Sequence, residues 1–172
     1  MFSGWGVRSV ADTELRYNPM SYHNGSVWPH ENSLIAAGAA RYDDKAFALR
    51  ILNAQFEAAC HFDLMRMPEL FCGFRRKGRE APLQFPVACS PQTCSAGATF
   101  LLLQSVLGIS IDALDSHIVL SHPVVPEGFD EISVRNLTVG DASVDFTVRR
   151  HFGSVSVSVE RREGKVDLVI RS

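Results

Sequence analysis

A loop rich in aromatic and amide side chains is the first candidate for chemistry in this chain. It covers residues 17–32 and reads Tyr-Asn-Pro-Met-Ser-Tyr-His-Asn-Gly-Ser-Val-Trp-Pro-His-Glu-Asn. Its prolines and glycine interrupt both helix and strand, so the surrounding fold must hold its side chains. Aromatic rings can stack on the apolar face of a pyranose, while amide and imidazole groups bind its hydroxyls. The side chains suited to this role are Tyr22, His23, Asn24 and Trp28. The alternative is a buried connector whose aromatic rings fill the core.

Glu69 is the carboxylate best placed for acid–base chemistry. It lies within Met-Pro-Glu-Leu-Phe-Cys-Gly-Phe, residues 67–74, with apolar neighbours on both sides. Such a carboxylate either forms a structural pair or serves as a general base whose pKa is tuned by desolvation. Asp63 and Glu80 lack comparable apolar flanks. Glu31 stands just ahead of a predicted helix. Its negative charge suits the helix N-terminus, and we favour this capping role over a catalytic one.

Three helices are predicted around these residues. Ala- and Leu-rich residues 32–42 form the first, and Asp43-Asp44 then cap a second helix over residues 45–60, whose apolar residues recur at three- and four-residue steps. In the third, Ser90 is the N-cap, Pro91 takes the first helical position and Gly108 ends the helix after Leu107.

The connection between the second and third helices is predicted to help form the site. Residues 61–89 show neither a helical nor a strand period, yet they are rich in Leu, Met and Phe. Long connections inside a compact domain are usually functional or disordered, and this apolar content argues against disorder.

The pattern changes to a two-residue period after Ser116. Val144, Phe146 and Val148 alternate with polar residues, and Glu163-Gly164 is a plausible tight turn into residues 166–170. This predicts an antiparallel sheet with one buried and one wet face, and nothing in it suggests catalysis.

Composition excludes several function classes. The 172 residues carry a formal net charge of −2 and no extended basic run, which argues against nucleic-acid or membrane binding. Neither a signal-peptide pattern nor a membrane-length apolar run is present, so we expect a soluble cytoplasmic protein. The four cysteines include no Cys-x-x-Cys pair, and we expect buried free thiols. His23 and His30 lack the i, i+4 spacing of a zinc hydrolase, and we expect no metal or cofactor.

Four motifs in order along the chain resemble a known family. They are residues 4–8 (Gly-Trp-Gly-Val-Arg), residues 17–30 of the loop, residues 68–74, and residues 86–92 (Pro-Val-Ala-Cys-Ser-Pro-Gln). Together they are similar to the C-terminal part of bacterial amylo-α-1,6-glucosidase, the glucosidase of glycogen debranching enzymes. The resemblance implies a mostly α chain with a C-terminal β part. Residues 1–115 would supply the last helices of an (α/α)6 toroid, and residues 116–172 would form an antiparallel β-rich extension.

The resemblance also implies a reaction. An inverting glycosidase of this kind uses two carboxyl groups about 6.5 to 9.5 Å apart, one as acid and one as base. Glu69 matches the general base, while the acid is expected on an upstream segment, so we expect this chain alone to lack it. The residues that would line the glucose site are Tyr22, His23, Asn24, Trp28, His30 and Gln92. Thr93-Cys94 stands where Ala-Trp is expected, and Glu31 where Asp is expected.

Three functional interpretations remain open at this point. The first is part of a glycoside hydrolase that cleaves α-1,6 branch linkages of glycogen-like glucans. The second is an inactive, truncated piece that binds glucan weakly or serves only as structure. The third is a binding module with an exposed apolar helix face. We expect a glucan or oligosaccharide as ligand, and either a homodimer or association with the missing barrel segment.

Overall fold

Three α-helices and six β-strands make up the computed structural model, which describes residues 1–171. The helices are α1 (Pro29–Arg41), α2 (Lys45–Ala59) and α3 (Thr93–Leu107), with a 3-10 turn at Asp63–Met65. The strands are β1 (Ile109–Asp112), β2 (His117–Ser121), β3 (Glu131–Val139), β4 (Ala142–His151), β5 (Ser154–Glu163) and β6 (Asp167–Arg171). The chain divides into a first compact unit, residues 1–103, and a second unit that begins at residue 104.

In the first unit, α1 and α2 pack against each other as a helical hairpin. Pro29 begins α1, where its fixed φ suits the first turn. The predicted cap of α2 is confirmed, because the Asp44 carboxylate accepts the Phe47 N–H at 3.0 Å. The buried face of α2 follows the helical period and consists of Ala48, Ile51, Leu52, Ala54, Gln55 and Ala58.

The rest of the first unit is held by single backbone bridges instead of regular sheet. Phe2 pairs with Val7, and Phe71 pairs with Gln84. Val27 pairs with both Arg8 and Phe71, so it ties the N-terminal segment to the two candidate site loops. A hydrophobic core lies under these loops and consists of Trp5, Val27, Ala58, Phe62, Met67 and Phe71.

The second unit contains two three-stranded sheets. β4 lies between β3 and β5 with antiparallel pairing on both sides. β2 lies between β1 and β6, antiparallel to β1 and parallel to β6. The two sheets share one core, in which Ile118 and Leu120 of β2 meet Val144, Phe146 and Val148 of β4.

The predicted fold class, a mostly α chain with a partial (α/α)6 toroid in residues 1–115, is wrong. Only 27% of the chain is helical, while 29% is strand, which makes this a small domain of mixed helix and sheet. The physical reason lies in the connection between α2 and α3, whose backbone groups bond to distant loops instead of forming further helices. Phe71, Gly73 and Arg76 donate their N–H groups to the carbonyls of Val27, Pro19 and Ser3, which lie in the N-terminal segment.

The single antiparallel extension predicted for residues 116–172 needs the same correction. Glu163-Gly164 does not close a hairpin, because β6 leaves β5 and pairs in parallel with β2. The prediction that one face of β4 is exposed to water is also wrong, since Ser143 and Thr147 are buried like Val144 and Phe146. Thr147 keeps its hydroxyl satisfied by donating to Glu160 at 2.5 Å.

Two further sequence expectations bear on the surroundings of the site. All four cysteines are free, but Cys72 alone is buried, and Cys60, Cys89 and Cys94 are exposed, contrary to the prediction of buried thiols. Within residues 1–171, every helix is too short or too polar to cross a bilayer.

Candidate functional site

Glu69 is fixed to the end of the long connection by two hydrogen bonds with one residue. Its N–H donates to the carbonyl of Cys89 at 2.8 Å, and the N–H of Cys89 donates to Oε2 of Glu69 at 3.3 Å. The side chain is half-buried. Residues 69 and 89 therefore approach each other as a pair, and the carboxylate has a defined orientation.

The second carboxylate oxygen is held by Tyr22. The Tyr22 hydroxyl donates to Oε1 of Glu69 at 2.5 Å, a short hydrogen bond of the charge-assisted kind. This bond raises the pKa of Tyr22 above its ordinary value, and burial and the negative charge of Glu69 raise it further. Tyr22 therefore stays protonated and serves as a donor to the carboxylate at neutral pH.

Tyr22 also sits at the centre of an aromatic cluster formed by Tyr22, His23, Trp28 and Phe85. Its ring meets His23 edge-on at 4.7 Å between centroids, and Trp28 at 4.9 Å. Phe85 approaches Tyr22 at 5.6 Å. His23 and Trp28 lie parallel, 5.8 Å apart with 4° between their planes. These are preferred aromatic geometries, and they gather three other rings around Tyr22, the residue that binds Glu69.

Short-range hydrogen bonds fix the loop that carries this cluster. The indole N–H of Trp28 donates to Oγ of Ser26 at 2.9 Å, and the Ser26 hydroxyl donates to the Tyr22 carbonyl at 2.6 Å. Ser26 is fully buried. Val27 and Phe71 exchange backbone hydrogen bonds of 2.9 and 3.0 Å, which brings the loop of Tyr22 against the segment of Glu69.

The structure thus brings Tyr22, His23, Trp28 and Glu69 together, but it leaves three other predicted site residues elsewhere. Asn24 is exposed, and its carbonyl accepts the Asn18 N–H at 2.8 Å. His30 is exposed on α1 and is paired through its carbonyl with Ser33. No hydrogen bond or ring contact of the described residues joins Asn24 or His30 to Glu69.

Gln92, the third of these residues, lines a different cavity. That cavity has a volume of about 610 Å³ and lies between α2 and the start of α3. Its lining is mainly apolar and includes Phe56, Met67, Phe100 and Leu102. Gln55 also lines it and donates to the Trp5 carbonyl at 2.8 Å, while its own Oε1 is buried without a partner. Glu69 is not among the residues that line this cavity.

Sequence reasoning missed four residues that build the site. Phe85 completes the aromatic cluster, Ser26 anchors Trp28, and Cys89 orients Glu69 through its backbone. Arg8 binds the Gly73 carbonyl, and the available signal for Arg8, Ser26 and Cys89 was that each lies in one of the four motifs. Phe85 and Cys89 act through contacts between distant segments, for which the sequence has no local pattern, whereas Ser26 binds Trp28 through its own hydroxyl two residues away.

The arrangement offers one oriented carboxylate next to aromatic rings and a phenolic donor. Among the described residues 1–171, no group of three or more His, Cys, Asp or Glu side chains is placed to hold a metal ion. The hydrogen bonds that converge on Glu69 come from Tyr22 and Cys89, with no second carboxylate among them. The site can therefore orient a water molecule or a hydroxyl and accept one proton.

Comparison with known proteins gives no assignment, since no family model matches the chain and no curated protein matches it significantly.

Proposed function

We propose that the Glu69 site binds a terminal glucosyl unit of a glycogen-like glucan and contributes the general base of a glycoside hydrolase. The reaction is inverting cleavage of an α-1,6-glucosidic branch linkage, and the chain is the C-terminal part of an enzyme of the amylo-α-1,6-glucosidase type. The observation that carries this proposal is the half-buried Glu69 carboxylate, held on one oxygen by Tyr22 and on the other by the Cys89 N–H.

The geometry suits a base better than a purely structural carboxylate. A structural carboxylate in an apolar setting is normally paired with Arg or Lys, and no salt bridge of the described residues includes Glu69. Neutral donors orient Glu69 instead and leave lone pairs on both oxygens. The rings of Trp28 and His23 nearby supply the flat apolar surfaces on which a sugar stacks.

In the proposed reaction, Glu69 accepts a proton from water while the water oxygen attacks the anomeric carbon. The bond to the leaving oxygen breaks, and a second carboxylic acid must protonate that oxygen. The hydrogen bonds at Glu69 include no such acid. We therefore expect the chain by itself to show no detectable hydrolysis of isomaltose or of branched glucan.

A substrate whose leaving group needs no protonation tests the general base without the general acid. In α-D-glucopyranosyl fluoride the fluoride ion leaves without protonation, so a base alone can assist attack by water. We expect the purified chain to release fluoride and β-glucose, observed by a fluoride electrode and by proton NMR of the first-formed anomer. Glu69→Gln keeps the shape but cannot accept the proton, and it should lower this rate by about 100-fold or more.

The matched control is Glu14→Gln, which removes an exposed carboxylate of the same unit and should leave the rate unchanged. Release of α-glucose, or equal rates for the parent chain and Glu69→Gln, contradicts the base assignment.

A second candidate function is glucan binding without hydrolysis, favoured by the single carboxylate at the site. It predicts that maltooligosaccharides shift the NMR signal of the Trp28 indole, whereas glucosyl fluoride is hydrolysed no faster than in buffer. Trp28→Ala should abolish the binding, because the cluster loses its largest stacking surface.

A further inference from the structure

Arg8 is a buried charged residue that donates hydrogen bonds to other groups of the protein. Its side chain is 1% exposed. Its Nε donates to the Gly73 carbonyl at 2.6 Å, and its Nη1 lies 3.2 Å from Oδ2 of Asp12 and 3.4 Å from the Met1 carbonyl. A buried guanidinium is costly unless its donors are paired, and this one is paired with Asp12 and with backbone oxygens. Arg8 therefore acts on chain geometry and not on a ligand.

The carbonyl of Gly73 is the point on which these contacts converge. It also accepts the Tyr17 hydroxyl at 3.1 Å, and the Arg8 guanidinium lies over the Tyr17 ring at 5.5 Å. On its other side, Gly73 donates its N–H to the Pro19 carbonyl at 2.8 Å. Both polar backbone groups of Gly73 are therefore tied to Arg8 or to the loop of Tyr22.

At Gly73 the two site-bearing segments also touch backbone to backbone. A Cβ added at Gly73 would lie 1.6 Å from the carbonyl oxygen of Gly25. Gly73 follows Glu69 by four residues, and Gly25 follows Tyr22 by three. Any movement of the Gly73 carbonyl is therefore transmitted along short, paired segments to both partners of the Tyr22–Glu69 hydrogen bond.

We infer that Arg8 is a positioning residue that sets the Tyr22–Glu69 distance by holding the Gly73 carbonyl against the loop of Tyr22. Lysine cannot replace it, because one ammonium group cannot reproduce the separate Nε and Nη1 contacts to Gly73 and Asp12. The part of this inference that concerns hydrolysis rests on the proposed function. The part that concerns the hydrogen bond does not.

The test follows Tyr22 directly by NMR. Tyrosine labelled with ¹³C at Cζ gives one signal for each of the three tyrosines, and Tyr22→Phe identifies the signal of Tyr22. The Glu69 hydrogen bond raises the pKa of Tyr22 in the parent chain. In Arg8→Lys this pKa should fall towards the ordinary value of about 10. Tyr17→Phe keeps the ring under Arg8 but removes one donor to Gly73, so it should cause a smaller fall in the same direction.

Arg41→Lys, a conservative change at an exposed position of α1, is the control and should leave the Tyr22 pKa unchanged. A purely structural role for Arg8 would lower the unfolding midpoint without moving the Tyr22 titration. An unchanged Tyr22 pKa in folded Arg8→Lys therefore overturns the inference. If Arg8→Lys does not fold, an unchanged pKa in Tyr17→Phe does so instead.

Hydrolysis of α-glucosyl fluoride supplies the second readout. A misplacement of the base by about 1 Å lowers a rate by about 100-fold, and we expect a loss of that order in Arg8→Lys. If the parent chain does not hydrolyse the fluoride but the Tyr22 pKa falls in Arg8→Lys, the positioning role stands and the proposed function fails. If the fluoride is hydrolysed equally well by Arg8→Lys, the positioning role fails and the proposed function stands.

Discussion

Replacing Gly73 by alanine should force apart the two backbone segments that carry Glu69 and Tyr22. The added Cβ would lie 1.6 Å from the Gly25 carbonyl oxygen. A normal contact between carbon and a carbonyl oxygen is about 3.3 Å, so the two segments must separate by roughly 1.7 Å. Val27 and Phe71 pair their backbones close by and resist that separation.

The expected cost follows from the hydrogen bonds that such a shift breaks. Gly73 accepts from Arg8 at 2.6 Å and from Tyr17 at 3.1 Å, and it donates to Pro19 at 2.8 Å. A hydrogen bond to a charged group contributes about 1.5–3 kcal/mol and a neutral one about 0.5–1.5 kcal/mol. Gly73→Ala should therefore lower the free energy of unfolding of the first unit by about 2.5–6 kcal/mol, a large share of a typical domain stability.

Urea unfolding followed by tryptophan fluorescence measures this change in the first unit alone, because Trp5 and Trp28 are the two tryptophans of the chain. Gly38→Ala is the matched control. Gly38 lies within α1, and an added Cβ meets no atom within 4 Å. Alanine in a helix interior is favoured over glycine, so this variant should gain about 0.5–1 kcal/mol. A Gly73→Ala variant that loses less than about 1 kcal/mol would refute the close-approach argument.

Two further predictions concern acid stability and the second unit. Burial raises the pKa of Asp12, but Arg8 and weaker contributions from its own backbone, the N-terminus and Arg75 together bring it below the ordinary value. A lowered carboxyl pKa stabilises the fold above the unfolded pKa of about 4, and this contribution is lost as pH falls through the folded pKa. The urea midpoint of the parent chain should therefore fall in acid. Asp12→Asn should have a lower midpoint than the parent chain at neutral pH and a smaller fall of that midpoint in acid. Equal pH profiles of the two midpoints would contradict this. In the second unit, Phe146 is fully buried and Phe152 fully exposed. Far-ultraviolet circular dichroism during urea unfolding should show a loss of about 3–5 kcal/mol for Phe146→Ala and less than about 0.5 kcal/mol for Phe152→Ala, and similar losses would contradict the assigned core.

Local patterns in the sequence predicted the individual elements with some success. The cap at Asp44 and the extent of α2 are confirmed, since a cap and a helical period lie within a few neighbouring residues. The end of α3 before Gly108 and the burial of Val144, Phe146 and Val148 are also confirmed. The cap and the helix ends depend on contacts that reach four residues or fewer along the chain.

The arrangement of those elements was decided by contacts that no local pattern contains. β6 pairs with β2 across about fifty residues, although the turn after β5 favoured a hairpin. The partial toroid failed in a similar way, because the connection after α2 satisfies its backbone groups with bridges to distant loops. Every strand or loop offers the same backbone N–H and C=O groups for pairing. Which segments pair is therefore decided by the burial of side chains that are distant in sequence.

The candidate site shows the same division between sequence and tertiary structure. Residue types alone singled out Glu69, Tyr22 and Trp28, because a carboxylate between apolar residues suits a general base or a structural pair, and aromatic rings on a Pro- and Gly-rich loop suit a sugar site or a core. Only the tertiary structure paired Tyr22 with Glu69, since 47 residues separate them and the contact depends on Val27–Phe71 pairing and on the close approach at Gly73. It also placed Gln92 in another cavity, because the N–H of Gln92 donates to the Met67 carbonyl and Gln92 lines the cavity between α2 and α3. The residue type fixes the chemistry of each side chain, whereas the packing of the whole chain determines which side chains lie close together.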